Sequence, residues 1–78
     1  MSCVFVQIRC RPGTTYQVAT ALVDLEKHSE IYSTSGEYDL LAKLYLPKDA
    51  NIGREIDHLV NRIDGIERTL TTLTFKAF

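Results

Sequence analysis

The residues best placed to do chemistry lie in one short run, Ser35-Gly36-Glu37-Tyr38-Asp39, with Thr69 and Thr71 further along the chain. An amino acid presents a carboxylate and an ammonium about 3 Å apart, so a site for it needs donors for one and an acceptor for the other. Gly36 has no Cβ, and its N–H can approach a ligand closely. Free N–H groups in a turn form a nest for a carboxylate. Asp39 could accept from the ammonium. Tyr38 could wall the pocket and discriminate side chains. Thr69 and Thr71 are two apart on one strand, share a face and could donate hydroxyls. Each residue also has a plainer reading. Gly36 is required by a hairpin turn whatever the function. Asp39 could bond a backbone amide near the turn. Threonines favour strands, and Tyr38 could simply pack. Replacing Asp39 by Ala is expected to abolish binding and leave the fold intact.

Other chemistries find little support. His28 and His58 stand alone on two helical segments, and no CxxC or HxxxH spacing exists for zinc. No Ser-His-Asp or Cys-His arrangement is discernible. Gly13, Gly36, Gly53 and Gly65 are isolated, so there is no phosphate loop. No catalytic residue, metal or cofactor is expected. Cys3 and Cys10 lie seven apart in one strand, about 23 Å between Cα atoms, and cannot bridge. They read as small hydrophobes in a reducing, cytoplasmic setting. No signal peptide is visible, and no apolar run approaches a membrane span. The 9 basic and 10 acidic residues are scattered and leave a net charge of −1. That builds no field for nucleic acid, and direct DNA binding is not expected.

The elements that must position the run follow from periodicity. Residues 3–10 alternate, with Val4, Val6, Ile8 and Cys10 on one face and Cys3, Phe5, Gln7 and Arg9 on the other. Arg11-Pro12-Gly13 is turn punctuation. Thr14 and Gln17 fit a capping box for a helix to about residue 27. Its buried stripe is Val18, Leu22 and Leu25, with Asp24, Glu26 and Lys27 outward. Residues 30–35 read as a second strand and 38–46 as a third, joined by a tight turn at 36–37 into an antiparallel hairpin. Pro47 ends it, and Asp49 or Asn51 caps a second helix with the stripe Ile52, Ile56, Leu59 or Val60, and Ile63. Gly65 fits C′ of that helix. Residues 66–76 read as the fourth strand.

The order β-α-β-β-α-β is that of an α+β, ferredoxin-like sandwich: a four-stranded antiparallel sheet with two helices on one face, as in dimeric α+β barrels. Residues 1–78 form a single domain of this kind. A chain of 78 residues buries only roughly 60% of its unfolded surface, and oligomerisation is one common remedy. Phe5, Leu41 and Tyr45 fall on the helix-free face, beside the polar Gln7, Arg9 and Lys43. Those large apolar groups predict that the face packs on a second subunit.

Taken together, these residues resemble a known family. Ile31 to Lys43, with Ser35-Gly36-Glu37-Tyr38-Asp39 at its centre, is similar to the hairpin of the RAM domain, the effector-binding half of Lrp/AsnC transcription regulators. Ser35 stands where the family commonly has Thr. Arg11-Pro12-Gly13, Ile63-Asp64-Gly65-Ile66 and Thr69-Leu70-Thr71 match further family features in order. The resemblance implies homodimers through the sheets, assembled into octameric or decameric rings. It implies amino acids or similar small effectors bound between dimers near the Gly-x-Tyr-Asp turn. Family members carry a helix-turn-helix ahead of this domain. Here Met1 leads straight into the first strand, which reads as a stand-alone RAM protein with nothing to enter a DNA groove.

The expectation is therefore a non-enzymatic sensing and oligomerisation module, acting alone or co-assembling with full-length Lrp/AsnC regulators. The alternative is a small dimeric α+β barrel enzyme of the monooxygenase or isomerase type. Such enzymes place a polar residue among the helix-facing side chains, whereas Val4, Val6, Ile8, Leu40, Ala42 and Leu44 are all apolar. An ACT-type regulatory domain shares the topology but would hold its ligand near residues 11–14.

Overall fold

A computed structural model describes residues 2–25 and 30–78. The chain runs β1 (Ser2–Cys10), α1 (Thr15–Leu25), β2 (Glu30–Ser33), β3 (Leu40–Leu46), α2 (Ile52–Arg62) and β4 (Ile66–Leu73). The four strands make one antiparallel sheet in the order β2-β3-β1-β4. This is the ferredoxin-like α+β fold expected from the element order.

Alternation along β1 and β3 decides the core. Val4, Val6, Ile8 and Cys10 are buried, as are Leu40, Ala42, Leu44 and Leu46. Paired residues of neighbouring strands share a face, and Val4↔Leu44, Val6↔Ala42 and Ile8↔Leu40 are paired. Val18 and Leu22 of α1 join this layer, with Ile56, Leu59 and Ile63 from α2 and its end. Each fully buried side chain of this kind contributes roughly 1.5–3 kcal/mol. No polar or charged residue is buried among the described residues.

Several boundaries differ from expectation. β2 stops at Ser33 and β3 starts at Leu40, so the hairpin connection is 34–39 rather than a tight turn at 36–37. Ser33 pairs with Leu40, and the longer loop is closed by its own hydrogen bonds, described below. β4 ends at Leu73, where its pairing with Val4 runs out. Asn51, not Asp49, caps α2, its side chain accepting from the N–H of Arg54 at 3.1 Å. The expected continuation of α1 through Glu26 and Lys27, the side chain of Leu25 and the position of His28 lie outside the described residues.

The start of α1 is tied to the start of β4. Arg11 N–H donates to the Gly65 carbonyl at 2.8 Å. The Thr14 hydroxyl donates to the carbonyls of Arg11 (2.7 Å) and Gly65 (3.2 Å). Thr14 is thus at the N-cap position, with Val18 N–H bonded to its carbonyl. Its hydroxyl, however, serves the Gly65 turn instead of the expected capping box with Gln17. Arg11 also pairs with Asp64 at 2.8 Å and holds that carboxyl below its ordinary range. The α2 C-cap is Ile63, so Gly65 falls one place beyond the expected C′. Its φ is +107°, and a Cβ there would meet Thr14 Oγ1 and Val18 Cγ2 at 2.9 Å.

Gly65→Ala is therefore expected to lose about 2–3 kcal/mol, because strain in φ adds to a clash with α1. Gly36→Ala, with nothing near its Cβ, should lose only the left-handed backbone cost of about 1–2 kcal/mol. Urea unfolding of the two variants checks the order; equal losses would contradict the close approach at Gly65.

Candidate functional site

The 34–39 loop is closed on itself by Thr34 and pinned to β1 at Asp39 and at the Glu37 carbonyl. Thr34 N–H donates to the Asp39 carbonyl at 3.0 Å, and the Thr34 hydroxyl donates to the Tyr38 carbonyl at 2.9 Å. Asp39 N–H donates to the Ile8 carbonyl at 2.9 Å. Two residues on, Cys10 N–H donates to Asp39 Oδ2 at 2.7 Å. In an antiparallel pair, residues i and i+2 point the same way. The Asp39 carboxylate thus stands in for the next carbonyl of β3 and adds one rung to the ladder. The plainer reading of Asp39, a backbone-amide acceptor, describes one of its oxygens.

At the tip, Ser35, Gly36 and Glu37 are exposed and Gly36 has φ +97°. Among the described residues, the N–H groups of Ser35, Gly36, Glu37 and Tyr38 meet no protein acceptor. The Glu37 carbonyl accepts from Arg9 Nη1 at 3.1 Å. Tyr38 is half-buried, with the Arg68 guanidinium 5.3 Å from its ring centroid. The contact crosses β1 from the hairpin to β4.

Thr69 and Thr71 do share a face, but it is the helix-facing one. Thr69 pairs with Ile8 and Thr71 with Val6, both core residues. Arg68 and Leu70 pair with Arg9 and Gln7 and project to the open face. Within one chain the structure therefore joins Tyr38 to Arg68, not to the threonines. A bulge sets this up: Arg9 pairs with Arg68 but Cys10 pairs with Ile66, leaving Glu67 extra. Glu67 lies 3.9 Å from Arg9.

Arg9 and Arg68 are the site neighbours missed by sequence reasoning. The element order alone puts β1 beside β4 and could have flagged two arginines near one sheet end. Only the register places them opposite each other. Cys10 lies below the site, its thiol pushed up by burial first and then by the Asp39 carboxylate.

On the open face, Phe5, Gln7, Leu41 and Tyr45 are half-buried and Tyr32 and Leu70 are exposed. Its Lys43 is paired within the face. Lys43 Nζ is 3.3 Å from Glu30 and 5.4 Å from the Tyr45 ring centroid, and Tyr32 donates its hydroxyl to Glu30 at 2.8 Å. Tyr45 and then Glu30 raise the Lys43 ammonium above the usual lysine range.

This fold, with its 34–39 turn pinned to β1, defines a small α+β module. The family is then shown directly. The chain belongs to the Lrp/AsnC ligand binding domain family, whose model matches residues 3–78. It is similar to the HTH-type transcriptional regulator FL11 of Pyrococcus furiosus, 31% identical over 72 residues. That match covers 92% of this chain and 47% of the regulator, so the chain spans about half the length of the curated relatives it matches. Among solved structures, TTHA0845 from Thermus thermophilus superposes with TM-score 0.88 at 32% identity, covering 100% of this chain and 98% of that one. PHS023 from Pyrococcus horikoshii superposes with TM-score 0.83 at 22% identity, covering 99% and 93%, and shares the fold. Among the described residues, no helix is long and apolar enough to cross a membrane.

Because Asp39 completes the ladder, Asp39→Ala strands the Cys10 N–H and is expected to lose about 1–3 kcal/mol. The fold is not indifferent to that change. Asp39→Asn keeps an oxygen at the same place and should lose less. Equilibrium unfolding in urea checks both; an unaltered midpoint for Asp39→Ala would remove the rung.

Proposed function

We propose that residues 1–78 act as one effector-sensing and oligomerisation domain, a cytoplasmic regulatory module that binds an amino acid or similar small effector without catalysing its conversion. The observation that carries this is the turn 35–38. Among the described residues its N–H groups meet no protein acceptor, and nothing lies near the Cβ position of its glycine. Such a nest suits a carboxylate. The second Asp39 oxygen, Tyr38, Ser35 and Glu37 are the groups beside it. Thr69 and Thr71, on the other side of the sheet, serve a ligand only where a neighbouring subunit brings their face to a turn, which fits a site between subunits. The apolar helix-facing layer supports a binding role over a dimeric α+β barrel enzyme.

The assembly proposed is a homodimer through the open face, built further into an octamer or decamer. An uncovered sheet face carrying Phe5, Leu41, Tyr45, Tyr32 and Leu70 favours a cover. Lys43 at its centre is already paired with Glu30, so covering that part of the face strands no lone charge. Arg9 and Arg68 sit toward the Tyr38 end, beside Glu67 and on the Tyr38 ring. The same surface suits co-assembly with full-length Lrp/AsnC regulators, which would carry the DNA contact.

A thermal-shift screen of the twenty amino acids tests the sensing role. A specific effector raises the melting temperature by mass action, and Asp39→Asn should shrink that rise. No shift with any amino acid overturns amino-acid sensing. Light scattering tests the pairing: the wild type should exceed monomer mass at micromolar concentration, and Leu41→Glu should return it toward monomer. A monomeric wild type overturns the dimer.

A further inference from the structure

Two further sets of large apolar side chains are exposed. One is Tyr16 and Val23 of α1, at 89% and 57% exposure. They border a groove of about 410 Å³ between α1 and the β2–β3 edge, floored by Ala19, Ile31 and Leu40. The other is Phe75 and Phe78, both almost wholly exposed in the segment 74–78 that follows β4. Among the described residues, the groove's lining carries one charged residue, the acidic Asp24. The segment carries one, the basic Lys76. Lys76 Nζ sits 5.1 Å from the Phe78 ring centroid, so cation and ring travel together.

We infer that the α1–β2 groove receives the segment 74–78 of a second copy of this chain, the Phe78 ring entering between Tyr16 and Val23 while Lys76 pairs with Asp24. The chain's own segment cannot reach. It starts at Thr74, whose hydroxyl donates to the Cys3 carbonyl at 2.6 Å, and it lies against Phe5 and Tyr45 on the open face. Cys3 pairs with Tyr45. The groove is at Leu40, about 17 Å back along β3 and on the opposite face of the sheet. Five residues fully extended span at most about 17 Å, which leaves nothing for crossing the sheet. The occupant must come from another molecule.

Groove and segment are different surfaces, so the contact is heterologous and propagates from copy to copy. It supplies a dimer-to-dimer step for the assembly proposed above, and it rests on that reading. Pairing Asp24 with Lys76 also fixes the direction in which the segment enters.

Sedimentation velocity on the full chain tests it through a charge swap. The wild type is expected above dimer size. Asp24→Lys, Lys76→Asp, Phe78→Ser and Tyr16→Ser should each lose the larger species and retain the dimer. All four side chains lie outside the core, so circular dichroism should be unchanged. The double variant Asp24→Lys/Lys76→Asp should restore the larger species. Single variants of unchanged size, or a wild type that stays a dimer, overturn the proposal and leave the groove to a small ligand or another protein. A swap that fails to restore size overturns the Asp24–Lys76 pairing. A monomeric wild type marks failure of the sheet pairing instead, so the two readings fail separately.

Discussion

Strand β1 is hydrogen-bonded along both edges, to β3 on one side and β4 on the other, and the rest of the molecule is referred to it. Val4, Val6 and Ile8 are almost completely buried beneath the two helices. A strand held on both edges cannot shift by one residue without exchanging its apolar face for Phe5, Gln7 and Arg9. That penalty sets the register of both neighbours. The hairpin loop, the bulge at Cys10 and the Gly65 turn all take their positions from the C-terminal end of this strand.

The two ends of the sheet are held differently. At the Cys10 end, side chains and turns interlock: Asp39 adds a rung, Arg11 clips Asp64, and Thr14 reaches the Gly65 carbonyl. At the Cys3 end the chain is simpler, with a single hydroxyl from Thr74 holding the segment after β4. The interlocked end carries the turn whose N–H groups at 35–38 meet no protein acceptor among the described residues.

Helices cover only one side of the sheet, because right-handed crossovers place them together. The fold is therefore incomplete as a monomer in a specific sense: it leaves half-buried aromatic and aliphatic groups facing water. On that face Lys43 is paired with Glu30. Within one chain the threonines of β4 share the helix-facing side with Ile8 and Val6, while the Gly36 turn lies in the loop between β2 and β3.

Much of this was legible in the residues. The alternation in 3–10 and 38–46, the stripes of Val18 and Leu22 and of Ile56 and Leu59, and the turn glycines determined element type, order and the buried face. These are local properties, set by a period of 2 or 3.6 and by which residues tolerate a turn. The run 35–39 was visible too, because glycine and aspartate there follow from turn chemistry. What lay beyond the sequence was who meets whom. Tyr38 against Arg68, Asp39 on the Cys10 amide and Thr69 and Thr71 on the helix side all depend on registers between distant segments and on one bulge residue, Glu67. The core selects those registers as a whole, and no local pattern encodes them. The turn's residues were thus determined by the chain itself, and its neighbours only by the tertiary structure.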